Sequence, residues 1–499
     1  MLPEKGRSAG ELLAEIERLR RDDLQVRGGK VTAYVYDTGR AEVHEAAAGA
    51  YARMLEVNTL DPTAFPSIVA MERQVVGAVA GLLGGGPGTP GIFTSGGTES
   101  IMLAVKAARD TWRAGGGRPV EGTADAAGAA MAPPREHGRG RPQIVVPVTA
   151  HPAFRKAAHY LGLDVVAVPV DAATFRADPD ATAAAITPAT VLVVASAPSY
   201  PQGVVDPVTE IAAAAAARGV PCHVDACVGG WLLPWLAEAG QPVPPFDLSV
   251  PGVTSISCDL HKYGYTPKGA SVVLFADPAM RRAAYFASGA WPGYTIINAT
   301  VQSSKSAGPL AGAWATLNAL GRDGYLDLAK NTLTATRRLI DGIGEIPGLR
   351  VLGEPESSLV AFTGDGEVDV FVLADEARKL GWFLQPQLSY AGIPANLHIT
   401  VTGVTLAGVD AMLEVIAASA RAARERGPAR VPEGLPEILA SLDLDALDDA
   451  TFTELAASVG VELGGSGQPE MAVVNTVLDA LPAATREAVL IRFLSALYG

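Results

Sequence analysis

Apolar and polar positions along the middle of the chain predict strands and helices in turn. Short runs rich in β-branched residues stand at 144–148, 190–197 and 271–275, and a helical pattern at 208–219 begins after Asp206-Pro207 and ends at Gly219. Strand–helix–strand units at this spacing predict a mostly parallel sheet with helices on both faces. Ligand-binding residues of such sheets gather at the carboxyl ends of the strands.

The pattern also divides the chain into four predicted parts. Residues 1–65 form a helical and loop segment, 66–330 a large α/β domain, 331–428 a smaller α+β domain, and 429–499 an appended helical segment. Residues 115–142 are a mixture of Gly, Ala, Pro and Arg without an apolar period. This composition predicts a mobile surface insertion in the large domain.

Composition narrows the class of protein. With 48% hydrophobic residues among 499, the chain can fill a large core, and its net charge of −14 argues against a nucleic-acid-binding surface. We see neither a secretory signal nor a long apolar run, so we expect a cytoplasmic protein without a membrane anchor. Only three cysteines occur, at 222, 227 and 258, which indicates reduced thiols. The C-x4-C spacing of the first two is not a zinc motif, and no metal is expected.

A lysine and an aspartate each follow a predicted strand, and together they indicate pyridoxal phosphate (PLP). Lys262 follows the run SISCDLH, and Asp225 lies in the run HVDA. PLP requires a lysine amine that forms an imine with its aldehyde, which makes Lys262 the candidate. A carboxylate beside the pyridine nitrogen keeps that nitrogen protonated through ion pairing, and Asp225 is the candidate for it.

Four more residues extend the predicted cofactor site. Gly97 and Thr98 begin a helix whose N–H groups and dipole suit a phosphate. His151 follows another strand and is placed to stack on the pyridine ring, and His261 is placed to donate to the phosphate. Each feature alone occurs commonly at element ends, but all of them in this order within one α/β domain predict a PLP site.

The chain resembles the PLP-dependent group II decarboxylase superfamily, and within it the sphingosine-1-phosphate lyases, from about residue 30 to residue 420. The resemblance rests on the blocks TSGGTESIMLAVKAARD, SAPSYPQGVVDPV, HVDACVGGWL and PGVTSISCDLHKYGYTPKG. It implies the fold-type I architecture of PLP enzymes, which is aspartate aminotransferase-like. It also implies a homodimer with shared active sites and a small-molecule amine or amino-acid substrate.

The resemblance assigns roles to single residues. It implies that Lys262 forms the imine, that Asp225 pairs with the pyridinium, and that His151 is the stacking ring. Tyr36 and Lys268 match residues of the lyases that lie in the active site and, for the tyrosine, act on the substrate. The other implied cofactor contacts are Gly97, Thr98, Ser199, His261 and, from the partner subunit, Ser303 and Ser304.

Three positions depart from the pattern of the lyases near the substrate. Asp61 replaces a histidine in a loop that begins at Asn58 and enters the site, Lys305 replaces an arginine, and Ile296 replaces a tyrosine. A carboxylate at position 61 disfavours an anionic headgroup, and a lysine lacks the bidentate fork of arginine. We therefore expect a substrate that is smaller or less anionic than sphingosine-1-phosphate.

Three functions remain open from the residues. The first is a carbon–carbon lyase that cleaves a β-hydroxy amine or β-hydroxy amino acid in retro-aldol fashion. The second is an amino-acid decarboxylase, because either bond can be set perpendicular to the PLP ring. A non-catalytic scaffold subunit is the third, and the intact pair of Lys262 and Asp225 argues against it.

Overall fold

The computed structural model describes residues 2–114, 141–430, 449–458 and 470–498, together with positions 434, 439 and 441. The predicted insertion at 115–142 lies outside these residues except for its last two positions. The α-helices are α1 (Ala9–Leu19), α2 (Ala41–Arg53), α3 (Pro66–Leu82), α4 (Gly97–Ala114), α5 (Ala153–Leu161), α6 (Pro179–Ala185), α7 (Val208–Ala216), α8 (Leu233–Glu238), α9 (Pro278–Ala284), α10 (Gly308–Gly344), α11 (Val370–Lys379), α12 (Thr405–Arg426), α13 (Asp449–Ser458), α14 (Met471–Ala480) and α15 (Ala483–Tyr498). The strands are β1 (Gly91–Thr94), β2 (Gln143–Pro147), β3 (Asp164–Val168), β4 (Thr190–Ser196), β5 (Cys222–Asp225), β6 (Val253–Cys258), β7 (Ser271–Phe275), β8 (Phe286–Ser288), β9 (Ile296–Asn298), β10 (Leu349–Val351), β11 (Leu359–Gly364), β12 (Gln385–Gln387) and β13 (Asn396–Thr400).

A seven-stranded sheet forms the centre of the large domain, in the order β1-β7-β6-β5-β4-β2-β3. The strands from β6 to β3 in this order pair in parallel, whereas β7 pairs antiparallel with both β6 and β1. Every residue of β4 is buried, as expected where helices cover both faces of a parallel sheet. This architecture confirms the predicted fold class.

The small domain contains an antiparallel sheet in the order β10-β11-β13-β12, covered by α11 and α12. Helix α10 connects the two domains, because Leu320 and Leu333 lie in the core of the large domain whereas Leu339 and Ile343 lie in that of the small one. The helix departs from helical geometry at Gly321, where φ is +58°, a backbone conformation that glycine adopts without strain.

The two ends of the chain differ in how they pack. Helix α1 begins with a capping box formed by Ser8 and Glu11 and has no buried residue. Helix α14, in contrast, is docked on the small domain, where the Asp375 carboxylate of α11 accepts from the N–H groups of Met471 (3.2 Å) and Ala472 (2.8 Å). None of the helices within the described ranges is long and apolar enough to cross a membrane.

Candidate active site

Four neighbouring strands of the large sheet bring the predicted residues to one edge. Asp225 ends β5, Lys262 lies in the turn after β6, Ser199 follows β4, and His151 follows β2. Because β2, β4, β5 and β6 are adjacent and parallel, their carboxyl ends meet. The sheet therefore gathers residues that lie more than 100 positions apart in sequence.

Lys262 is held by a carboxylate that our sequence analysis missed. Its Nζ lies 3.0 Å from Oδ2 of Asp259, whose residue is only 2% exposed. Burial alone would lower the pKa of the Lys262 ammonium, but the attraction of Asp259, with smaller contributions from Cys227 and Tyr36, raises it above its usual range. The signal was present in the run DLHK, where an acidic residue follows a buried strand three positions before the lysine.

Asp225 is buried and fixed by its neighbours. Its Oδ1 accepts from the N–H of Cys227 at 3.1 Å and from the Ser257 hydroxyl at 3.5 Å. Ser257 also bonds to Nε2 of His223 at 3.2 Å, which adds a buried ring behind the carboxylate. This network leaves the Asp225 side chain oriented at the strand end, where an ion pair with a ring nitrogen requires it.

The beginning of α4 lies directly over Asp259. A Cβ on Gly97 would meet Sγ of Cys227 at 2.7 Å and Oδ2 of Asp259 at 2.8 Å, so no larger residue fits without a shift. The neighbouring Thr98 is exposed at the same helix end. The helix N-terminus can therefore approach a phosphate through its backbone N–H groups.

Three buried polar atoms of Asp259 and the predicted site residues have no hydrogen-bond partner among the described residues. They are the Ser199 hydroxyl, Nδ1 of His261 and Oδ1 of Asp259. Unpaired buried polar atoms are costly, so such a group of them indicates a polar ligand. Together with the tight glycine at the helix N-terminus, the two of these groups that can donate, the Ser199 hydroxyl and the His261 ring, fit the phosphate and phenolic oxygens of PLP.

His151 lies at the open side of this edge. Its Nδ1 accepts from the N–H of Ala153 at 3.2 Å, and its ring remains accessible to solvent. Desolvation by the surrounding protein lowers the pKa of His151 even though Asp225 attracts a proton to it. A neutral accessible ring is suited to stack on an aromatic cofactor.

Comparisons with known proteins place this geometry in a family. The model of the pyridoxal-dependent decarboxylase conserved domain matches residues 30–364. The chain belongs to the pyridoxal-dependent decarboxylase family. A second model, for the C-terminal putative HTH domain of pyridoxal-dependent enzymes, matches residues 433–496.

Its relatives within this family are lyases. The sphingosine-1-phosphate lyase of Dictyostelium discoideum is 35% identical over 88% of this chain and 78% of its own, and that of Arabidopsis thaliana is 37% identical over 81% and 70%. The structure of the Burkholderia pseudomallei sphingosine-1-phosphate lyase superposes with a TM-score of 0.76 at 34% identity, covering 85% of this chain and 93% of that one. A Lactobacillus brevis glutamate decarboxylase, with a TM-score of 0.72 and 19% identity, shares the fold. The comparisons confirm that the chain is a PLP-dependent lyase and that PLP is its cofactor.

Tyr36 and Lys268 lie together beside Lys262 in this family member. The Lys268 Nζ lies 5.1 Å from the ring centroid of Tyr36 and donates to the backbone oxygen of His261 at 3.3 Å. Desolvation, strengthened by repulsion from Lys262, lowers the pKa of Lys268 to about 8. Burial raises the pKa of the Tyr36 hydroxyl well above its usual value, so that Tyr36 remains protonated at neutral pH.

The predicted substrate residues of the N-terminal loop are engaged locally. Asn58 Oδ1 accepts from the N–H of Leu60 at 3.0 Å. Asp61 Oδ1 accepts from the N–H of Thr63 at 2.8 Å, from the Thr63 hydroxyl at 2.6 Å and from the N–H of Ala64 at 3.2 Å. These bonds lower the pKa of the exposed Asp61 carboxyl, so it is charged at neutral pH.

The predicted residues after β9 are divided between the surface and the interior. Ser303 and Ser304 are exposed, and their role at a partner's site stays a prediction. The Nζ of Lys305 instead donates to the Thr300 hydroxyl at 2.6 Å within the same chain. Desolvation lowers the pKa of Lys305 against the attraction of Glu99. Our sequence analysis missed Glu99, and no signal in the run GGTES distinguishes it from an ordinary acidic residue in a first helical turn.

Proposed function

We propose that this enzyme cleaves the Cα–Cβ bond of a β-hydroxy amine, releasing an aldehyde. PLP, when bound, supplies the ring that accepts the electrons of the broken bond. The observation that carries the proposal is the pair of Lys268 and Tyr36 beside Lys262, because retro-aldol cleavage requires a group that takes the proton of the β-hydroxyl. Decarboxylation requires no such group.

The charge and protonation state of each active-site residue suit a different role in the proposed reaction. Asp225 is placed to hold the positive charge of the ring nitrogen, and Lys262 is the amine that binds the cofactor. Lys268, with a pKa of about 8, exchanges protons readily near neutral pH, which suits its Nζ as the acceptor of the hydroxyl proton. The raised pKa of Tyr36 keeps its hydroxyl protonated, so Tyr36 orients the substrate as a hydrogen-bond donor.

We further propose that the substrate carries less negative charge than sphingosine-1-phosphate, the molecule named for the relatives. The ammonium of Lys305 is bonded to Thr300 and lies near the carboxylates of Glu99 and Glu72, so its charge is already compensated. Asp61 is a charged carboxylate on the N-terminal loop. A phosphate headgroup would find little positive charge here to offset its desolvation.

The proposal includes a homodimer whose two subunits complete each site. The hairpin of β8 and β9 and the residues that follow expose large apolar side chains, with Ile297 60%, Val301 61% and Tyr294 62% exposed. Contiguous exposed apolar surface is typical of an interface. Ser303 and Ser304 lie next to this surface in sequence, as the predicted phosphate contacts to a partner's site would require.

Product analysis of the purified holoenzyme tests the reaction. We expect an aldehyde and a shortened amine from β-hydroxy amines, with a higher kcat/KM for an uncharged headgroup than for sphingosine-1-phosphate. Lys268→Met should slow release of the aldehyde by about a hundredfold or more while retaining PLP absorbance. Release of CO2 from amino acids without aldehyde from any β-hydroxy amine would establish the decarboxylase alternative instead.

Mixing experiments test the shared site. A dimer of Lys262→Ala chains and a dimer of Ser303→Ala/Ser304→Ala chains should each be impaired. A mixed dimer, however, contains one intact site, formed by Lys262 of the serine variant and the two serines of the Lys262→Ala chain. We expect partial recovery of activity on mixing, and a mass in solution of two chains. A monomeric active enzyme would contradict this part of the proposal.

A further inference from the structure

Glu99 is a buried carboxylate to which the proposed reaction gives no role. It lies in the first turn of α4, directly after the phosphate loop, which we define as residues 95–98, and it is 6% exposed. Its Oε2 accepts from the N–H of Ser95 and its Oε1 from the N–H of Val301, both at 2.7 Å. One side chain thus joins the phosphate loop to a segment 202 residues further along the chain.

That second segment, which we call the bridging segment, comprises residues 299–306. It carries Ser303, Ser304 and Lys305, the residues predicted to serve cofactor and substrate. At its other end, the backbone oxygen of Lys305 accepts from the N–H of Thr59 at 3.0 Å. The bridging segment is therefore fixed at two points, by Glu99 at the phosphate loop and by the main chain at the N-terminal loop.

The position of Glu99 carries an electrostatic cost. A carboxylate this close to a phosphate loop repels a bound phosphate unless a cation compensates it. Lys305 supplies a cation close by without a direct ion pair to Glu99: its Nζ bonds to Thr300, the neighbour in sequence of the Val301 that Glu99 holds. The attraction of Glu99 is the largest contribution that favours the ammonium of Lys305.

We propose that Glu99 is a positioning residue that couples binding of the cofactor phosphate to the placement of the bridging segment, with Lys305 as its counter-ion. A phosphate that orders the backbone at Ser95 also restrains Glu99, because Glu99 accepts from the N–H of Ser95. The other oxygen of Glu99 then restrains Val301 through its N–H. The coupling lies within one chain and needs no substrate. The proposed function is needed only for the further effect of this coupling on the active site of a partner subunit, to which Ser303 and Ser304 are predicted to contribute.

Glu99→Gln tests the coupling because it changes one atom and little volume. A glutamine side chain offers one acceptor oxygen, and its NH2 group would face the second backbone N–H, so only one of the two bonds survives. Hydrogen exchange followed by mass spectrometry is measured on apoenzyme with and without PLP. In the wild type, we expect PLP to slow exchange in both the phosphate loop and the bridging segment.

In Glu99→Gln, we expect the slowing to stay within the phosphate loop. The Val301 amide should then exchange about tenfold faster than in the wild type, as the loss of a charged hydrogen bond implies. Two results would overturn the proposal. One is that PLP slows exchange of the bridging segment in Glu99→Gln as much as in the wild type, and the other is that PLP does not change this exchange in the wild type. If Glu99→Gln fails to fold, Val301→Pro removes the donor and leaves Glu99 in place, and PLP should again slow exchange in the phosphate loop but not in the rest of the bridging segment.

Lys305→Met tests the counter-ion. We expect PLP to bind about two- to fivefold more weakly, the size of change typical of a partly exposed charge that interacts with its surroundings. Adding Glu99→Gln to Lys305→Met should restore part of the affinity, because the uncompensated carboxylate is then gone. A PLP affinity that Lys305→Met leaves unchanged would refute the counter-ion role. These readouts use no substrate, so they stand or fall separately from the reaction proposed above.

Discussion

Asp259→Asn removes the charge that faces Lys262 and preserves the shape of the side chain. The two groups are 3.0 Å apart, and their side chains are 3% and 19% exposed. Burial is the largest single effect on Lys262 and opposes its ammonium; Asp259 supplies the largest of the attractions that together outweigh it. An amide cannot supply this attraction, so we expect the pKa of Lys262 to fall in the variant.

The size of the change follows from the burial of the pair. Removing one partner of a buried pair costs about 3–5 kcal/mol, and one pKa unit corresponds to about 1.4 kcal/mol. We therefore expect the pKa of Lys262 to fall by about two units or more. Only the neutral amine attacks an aldehyde, so its reactive fraction below the pKa rises about 100-fold for two units.

Stopped-flow absorbance of PLP binding to apoenzyme at neutral pH, below the pKa of Lys262 in both proteins, measures the effect. The rate should rise about 100-fold in Asp259→Asn. Asp225→Asn is the matched control, because Asp225 is the smallest of the named contributions to Lys262 and its loss should raise the rate far less. An unchanged or lower rate in Asp259→Asn would refute the reasoning.

The same pair has a predictable effect on the stability of the apoenzyme. Burial opposes ionisation of Asp259, but Lys262 and His261 lower its pKa below 3.8, so its stabilisation is present above that pH and is lost as pH falls through the lowered pKa. The raised pKa of Lys262 contributes stability below 10.5 that is lost only as pH rises through the raised pKa. The pair therefore leaves stability nearly independent of pH around neutrality.

Four further outcomes are expected. Borohydride should fix PLP on Lys262, and a peptide map with the adduct on another lysine would contradict the assignment. Asp225→Ala should lower turnover by about a hundredfold or more, because the ring nitrogen loses its ion pair, and near-normal turnover would show that another group protonates it. Lys268→Met should lower kcat by about 10²- to 10⁴-fold and remove the rise of rate with pH that ends near the Lys268 pKa of about 8; an unaltered pH profile would exclude Lys268 as the base. Residues 433–496 carry eleven acidic residues and two arginines, so fluorescence anisotropy should detect no binding of duplex DNA at physiological salt, and tight salt-dependent binding would contradict this.

The order of strands and helices in the large domain could be predicted from sequence because its strands are continuous apolar runs. Buried parallel strands show this pattern directly, as Thr190–Ser196 does. The position at which α10 leaves the large domain and enters the small one was harder to predict. Its apolar face continues past residue 330 without a break, so the pattern gives no sign that the helix moves from one core to the other.

The placement of the candidate cofactor residues was predictable where a residue type is chemically required at a strand end, while their roles toward PLP stay predictions. Lys262 and Asp225 are such residues, and the turn that carries each is visible in the sequence. Lys305 was predicted as a substrate residue, and its bond to Thr300 within the same chain could not be anticipated. Its direction depends on how the hairpin of β8 and β9 folds back on α4, which local patterns do not encode.

Asp259 and Glu99 show how the chain places negative charge beside a phosphate. Both carboxylates are buried close to the beginning of α4; Asp259 forms an ion pair with Lys262, and Glu99 attracts the ammonium of Lys305 without a direct ion pair. These lysines are therefore not free to neutralise a phosphate dianion. The remaining positive potential at this edge comes from the backbone N–H groups and the dipole of α4, together with the ammonium of Lys268. Such a site is suited to hold a cofactor phosphate by geometry more than by net charge, and position 97 has no room for a side chain because a Cβ there would meet Cys227 and Asp259.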